Sequence, residues 1–216
     1  MTALLQTHAL HIGYPGGPLL QCPDHVWGAG LHLVQGDEGV GKTALLCTLA
    51  GDIPVRAGRI DAGYARGREH SPTDVFWQHP RTMLNDAELA LTARDWTMRC
   101  AARYPQWSQE NFDAHAQGLG VEEHLHKPLL ALSTGSLRKL WMACAWASGA
   151  PLTLIDEPLA ALDKPSQRYV QQALHTCFTA QAQGMGQASP RRCVIVTHWD
   201  AMQGVEWDSI LTLAGA

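Results

Sequence analysis

No stretch of this 216-residue chain approaches the roughly 18 consecutive apolar residues that a membrane-crossing helix needs. The N-terminus, Met1-Thr-Ala-Leu-Leu-Gln-Thr-His8, lacks the basic start and apolar run of a signal peptide. A basic surplus is missing too: 16 Lys and Arg stand against 20 Asp and Glu, for a net charge of −4. That balance gives no support to general nucleic-acid binding. The small basic groups, Arg191-Arg192 and Arg66 with Arg68, read as solvated surface. The cysteines (Cys22, Cys47, Cys100, Cys144, Cys177, Cys193) are scattered and form no C-x-x-C pair. They suit reduced thiols of a cytosolic protein better than a disulfide framework. The closest histidine pairs, His8-x-x-His11 and His124-x-His126, have no Cys or carboxylate at ligand spacing, so neither reads as a metal site. Internal repeats and long linkers are absent.

What remains is an ordinary globular composition, 46% hydrophobic and 17% charged, enough for one large domain or one domain with a lobe. Residues 2–12 read as an early strand ending at Tyr14 and the turn Pro15-Gly16-Gly17-Pro18. A strand over 31–35 leads to a helix over about 43–50 that stops at Gly51. Asp74–Gln78 reads as a short strand, and apolar spacing turns helical from about 84 to 126 and again over 135–148. Leu152–Ile155 reads as a buried strand, Cys193–Val196 as a further strand and Asp208–Leu213 as a last short one, with a helix over about 165–182. Strands alternating with helices predict an α/β fold with a mostly parallel sheet, and ligands beyond its carboxyl ends.

Residues 36–43, Gly-Asp-Glu-Gly-Val-Gly-Lys-Thr, complete a G-x-x-x-x-G-K-[ST] phosphate loop directly after the apolar run Leu31-His32-Leu33-Val34. Gly36, Gly39 and Gly41 let successive backbone N–H groups turn toward one anion, with Asp37, Glu38 and Val40 between them. Lys42 supplies a point charge for the outer phosphates, Thr43 a hydroxyl for Mg²⁺, and the helix from Ala44 onward the positive end of its dipole. Asp156, closing an apolar strand, fits a magnesium-holding acid. Glu157, one residue on, is placed to polarise a water aimed at a γ-phosphate.

At this point the chain resembles the ATP-binding-cassette (ABC) family of ATPases over nearly its whole length. The resemblance rests on Gly36–Thr43 as Walker A, Leu152–Asp156 as Walker B, and Glu157 as the presumed general base. It extends to Gln78 as the Q-loop glutamine that senses metal and water, His198 as the switch histidine, and Leu159–Asp163 as the D-loop. Leu132-Ser133-Thr134-Gly135-Ser136 is similar to the signature motif, 24 residues before Asp156. Tyr14, 22 residues before Gly36, matches the ring that stacks on adenine. The implied fold is a P-loop ABC cassette. It joins a parallel core to an N-terminal antiparallel part, with 1–83 and 151–216 as core and 84–150 as an inserted helical lobe. The implied activity is ATP hydrolysis with Mg²⁺ by a head-to-tail dimer, either of two copies or with another cassette. Ser133 and Gly135 would then contact the opposite subunit's γ-phosphate. The implied partner is a separate transmembrane permease, with this chain peripheral on the cytoplasmic face of the membrane and no nucleic acid bound.

Some positions depart from the family pattern. Glu38 sets a carboxylate near the phosphates, Ala44 removes a hydroxyl, and Thr134 and Ser136 alter the signature. These bear on turnover and dimer strength. The segment Arg103–Trp107 with Phe112 is similar to one that precedes the signature in some exporter-type members. Trp96, Trp107, Trp141 and Trp146 read mostly as core, with the option of an exposed groove for a membrane partner. Two alternatives stand beside the transporter reading: a nucleotide-gated interaction module with little turnover, and a soluble cassette acting on DNA or ribosomes. The first is favoured by Glu38, Ala44 and the altered signature and opposed by Glu157 and His198. The second lacks its usual coiled coil, tandem cassette or basic surface.

Overall fold

The computed structural model describes residues 3–65, 71–77, 84–182 and 191–214, the side chains of 177–182 excepted. Five strands form a parallel sheet in the order β6 (Val75–Trp77), β7 (Leu152–Asp156), β8 (Cys193–His198), β4 (Gly30–Gln35) and β9 (Ser209–Thr212). Every residue of β7 and β8 is buried, as expected of central strands covered on both faces. Their side chains alternate between two cores. Leu152, Leu154, Cys193 and Ile195 face one side, while Ile155, Val194 and Val196 face the other.

The first core is shared with an antiparallel sheet in which β1 (Leu5–Ile12) pairs with β2 (Leu20–Gln21), β3 (His25–Trp27) and β5 (Ala57–Asp61). α1 (Lys42–Ala50) contributes Leu45, Leu46 and Leu49 to the same core. The early strand was legible, but β2, β3 and β5 were not. β5 exposes four of its five residues, so it carries no apolar alternation to read.

The second core joins the sheet to helices inserted between β6 and β7: α2 (Asp86–Leu89), α3 (Ala93–Arg103), α4 (Gln109–Gly118) and α5 (Thr134–Ala147). The helical run expected over 84–126 is divided because Pro105 holds Tyr104 extended (φ −101°, ψ 110°) and stops α3. Asn85, Thr92, Ser108 and Ser133 each cap a helix by accepting a backbone N–H three residues on. Trp96 and Trp146 are buried and Trp107 and Trp141 half-buried, while Met98, which fits the apolar spacing, points to solvent. α6 (Lys164–Ala182) follows β7 and adds Val170 and Leu174 to this core.

One expectation is overturned. Arg192 is not solvated surface but 7% exposed, while Arg191 beside it is exposed. Its guanidinium donates to the carbonyls of Ala145 (2.9 Å), Trp146 (3.1 Å) and Ala150 (3.2 Å) and to Thr153 Oγ1 (2.9 Å). The last carbonyls of a helix have no partner within it, and a cation suits that end of the dipole. Arg192 therefore caps α5 from outside. Arg66 and Arg68 lie outside the described residues.

Candidate nucleotide site

Parallel pairing aligns the carboxyl ends of three strands: Gln35 pairs with His198, and Asp156 with Thr197. The phosphate loop, the two acidic residues and the histidine thereby meet at one edge. Gly39 and Gly41 adopt φ 81° and 97°, a region that favours glycine, and a Cβ on Gly41 would stand 2.3 Å from Leu20 Cδ1. Gly41 is also the N-cap of α1, with no side-chain cap and no acidic residue in the first turn. The first-turn N–H groups of α1 are thus left for an anion.

Lys42, 7% exposed, donates to the carbonyls of Gly36 (2.7 Å) and Asp37 (3.1 Å) and lies 3.3 Å from Glu157 Oε1. Thr43 Oγ1 donates to Asp156 Oδ2 at 2.9 Å, while Thr197 Oγ1 donates to Asp156 Oδ1 at 2.5 Å. Glu157 Oε2 stands 3.9 Å from His198 Nε2, and Asp200 Oδ1 lies 2.9 Å from His198 Nδ1. Asp200 thus holds the ring from the Nδ1 side, with Nε2 facing Glu157. Glu38 and Asp37 are exposed and Ala44 is buried. Tyr14 is half-exposed, with its hydroxyl 3.7 Å from Cys47 Sγ on α1, where burial pushes the Cys47 thiol up.

The segment expected to serve a second nucleotide is placed differently. Ser133 and Thr134 are exposed at the start of α5, where Ser133 Oγ accepts Ser136 N–H at 3.1 Å. Among the described residues no hydrogen bond or ion pair joins 133–136 to the phosphate loop. Gly135 instead lies against the chain's own Ala161, whose carbonyl a Cβ there would meet at 2.7 Å. Lys139 Nζ binds Asp163 Oδ2 at 2.7 Å and, with Ser166 N–H, holds the Asp163 carboxyl well below the usual range. Gln78 lies outside the described residues.

Sequence reasoning missed Thr197, Asp200, Arg138 and Lys139. Thr197 could have been found as a hydroxyl in an otherwise apolar strand end, and Asp200 as the carboxylate following the histidine. Arg138 and Lys139 have no such signal, because their partners are 18 to 24 residues away.

A parallel sheet that gathers a phosphate loop, two acids and a histidine at its strand ends defines a P-loop nucleotide-binding ATPase. The chain belongs to the ABC transporter family, whose model matches residues 27–160. The chain is 31% identical to a cytochrome c biogenesis ATP-binding export protein of Paracoccus denitrificans, the match covering 79% of this chain and 70% of that one. It is 35% identical to the protein of the same name from Xanthomonas oryzae, with 74% of each chain covered. An ABC transporter ATP-binding protein from Pyrococcus furiosus shares the fold at TM-score 0.74 and 19% identity, over 97% of this chain and 96% of that one. This chain is accordingly an ATP-binding, ATP-hydrolysing subunit of a transporter of that family.

Proposed function

We propose that the chain drives an exporter-type ABC transporter by closing as a head-to-tail dimer on Mg-ATP, with Glu157 as the general base. One observation carries this reading: the Glu157 carboxylate lies between Lys42 (3.3 Å) and His198 (3.9 Å), beside the Asp156–Thr43 pair. Lys42 and the N–H groups of α1 bind the phosphates and offset their charge. Glu157 takes a proton from the water that attacks the γ-phosphorus, and the bond to the bridging oxygen of ADP breaks. His198 orients that water or the γ-phosphate, its ring set by Asp200. Thr43 Oγ1 and Asp156 Oδ2, hard oxygens 2.9 Å apart, fit Mg²⁺, which supplies charge neutralisation at the phosphates. Gln78 belongs to the same metal and water set in this reading. The half-exposed ring of Tyr14 takes the adenine.

The division into core (1–83 and 151–216) and helical lobe (84–150) supplies the moving parts, with Ser133 to Ser136 meeting the opposite subunit's phosphate. The membrane subunit is a separate polypeptide, which places this chain at the cytoplasmic face. Export is supported by the names of the relatives and by the Arg103–Trp107 segment with Phe112, and a role in cytochrome c biogenesis by those names alone. No helix of the described residues is long and apolar enough to cross a membrane. The test is the solution mass of Glu157→Gln with and without Mg-ATP. An ATP-dependent shift from monomer to dimer is expected, and a persistent monomer with ATP bound would remove the homodimer.

A further inference from the structure

Glu157 is a non-glycine residue in the left-handed region, at φ 45°. Such a conformation persists only where surrounding bonds hold it. Its N–H is bound to Thr197, 3.1 Å from the carbonyl oxygen and 3.2 Å from Oγ1. Its carbonyl is held by Arg138: Nη1 donates to Glu157 O at 2.5 Å and to Asp156 O at 2.9 Å. One nitrogen of Arg138 therefore fixes the peptides of both acidic residues.

Arg138 belongs to α5, five residues beyond Ser133, about 7–8 Å along the axis. The same face of α5 meets the 156–163 segment twice more, through Gly135 on Ala161 and Lys139 on Asp163. This attachment is not the cheapest available. Burial disfavours the charged guanidinium, which Asp156 and Glu157 offset, and its Nε–H is buried with no hydrogen-bond partner. An uncharged side chain on this face would avoid both costs. The strained peptide it grips is the one that presents the base.

We infer that Arg138 is a positioning residue that couples the exposed start of α5 to Glu157 of the same chain, so that phosphate engaged by 133–136 at one site sets the base at the other. The inference rests on the head-to-tail reading, in which α5 faces the partner's nucleotide while its Arg138 holds the base for the nucleotide on its own phosphate loop. The two N–H bonds of Nη1 serve two carbonyls at once while the charge stays on the guanidinium. Glutamine at this position would have a shorter amide donor and no charge, whereas lysine keeps the charge and three donors on a different stem.

The experiment compares full-length Arg138→Gln and Arg138→Lys with the parent in steady-state ATP hydrolysis, ATP binding and thermal melting. For Arg138→Gln the expected result is a kcat lower by about tenfold or more, with KM and ATP affinity within about twofold. The Hill coefficient should fall toward one, and Arg138→Lys should recover part of kcat. The inference is overturned if kcat and cooperativity are unchanged in Arg138→Gln. It is equally overturned if kcat and ATP affinity fall together with melting temperature in both variants, the mark of a purely structural contact. Glu157→Gln is measured alongside: if it turns over at the parent rate, the base reading fails whatever Arg138 does. If Glu157→Gln is inactive while Arg138→Gln matches the parent, only the Arg138 coupling fails.

Discussion

α1 begins at Gly41 with no side chain on its first-turn N–H groups, whereas α5 begins at Ser133, whose own hydroxyl takes the Ser136 N–H. Around α1, Lys42, Thr43, Asp156, Thr197 and Glu157 are already joined by hydrogen bonds and ion pairs. Around α5 the signature residues bond only locally, and the helix is anchored elsewhere, by Arg138, Lys139 and Arg192. One half of the chemistry is assembled within the chain; the other is presented outward on a helix tied down along its length and at its far end. In the head-to-tail reading proposed above, a second subunit would supply the phosphate that the outward half meets. The comparison can be broken at either half.

The largest effect is expected in the assembled half. Glu157→Gln keeps the carbonyl oxygen of the side chain and removes the base, and should lower kcat by roughly 10²–10⁴-fold while ATP still binds. Phosphate release and ATP titration on the same sample check it. A variant that loses binding and turnover together would mean that the Lys42 contact, not proton transfer, is the role of Glu157.

Arg192→Met tests the far anchor of α5. It leaves the carbonyls of Ala145, Trp146 and Ala150 without this donor, and should destabilise the chain by about 2–3 kcal/mol. Denaturant melts measure the loss. If the phosphate-loop half is independent of α5, ATP affinity of the folded variant stays at the parent value.

These two residues mark what was legible in the sequence and what was not. Glu157 was readable because its neighbours on the chain, the apolar strand and Asp156, are also its neighbours in space. The phosphate loop and the alternation of core strands and helices along the chain were readable for the same reason, since period and local turn chemistry declare them. Arg192 was misread because its partners are carbonyls some 40 residues away, and a backbone acceptor carries no residue identity. Arg138 was passed over on the same ground, and Lys139 because its carboxylate partner, Asp163, lies 24 residues away. β5 was missed because an exposed strand such as Ala57–Asp61 has no buried face to impose alternation. The assembled half was therefore the more legible one, and the anchoring of the outward half was hidden.

A third test sharpens the comparison through pH. His115 on α4 stacks on Trp146 of α5 at 4.5 Å between centroids and lies 2.9 Å from Tyr169 of α6. Burial lowers its pKa from 6.5 to about 4. The unfolded chain therefore takes up the proton first. The stability is fully present above about pH 6.5 and is lost as pH falls from there toward 4. Linkage places the loss near 2 kcal/mol at pH 5 relative to pH 8. His25 on β3 of the antiparallel sheet and His32 on β4 of the parallel sheet, also lowered by burial, add to the same slope. His115→Phe should flatten the pH 8 to 5 stability profile by its share and leave the remainder. An unchanged slope would mean that the helical side does not titrate in this range.

The smallest change in stability is expected from Ser133→Asp, and it separates two roles of one hydroxyl. As N-cap of α5, Ser133 contributes about 1 kcal/mol, which aspartate also supplies by accepting the Ser136 N–H. As a contact to the partner's phosphate, aspartate is the wrong charge, and like charges at close range repel. Melting temperature should stay near the parent value while the ATP-dependent dimer, read in the Glu157→Gln background, disappears. Ser133→Ala should do the reverse in part, losing cap energy while leaving the neutral surface that Gly135 and the helix dipole still offer to phosphate. Should Ser133→Asp dimerise on ATP as readily as the parent, the start of α5 is a capped helix end and no more, and the outward half must meet its nucleotide through other residues.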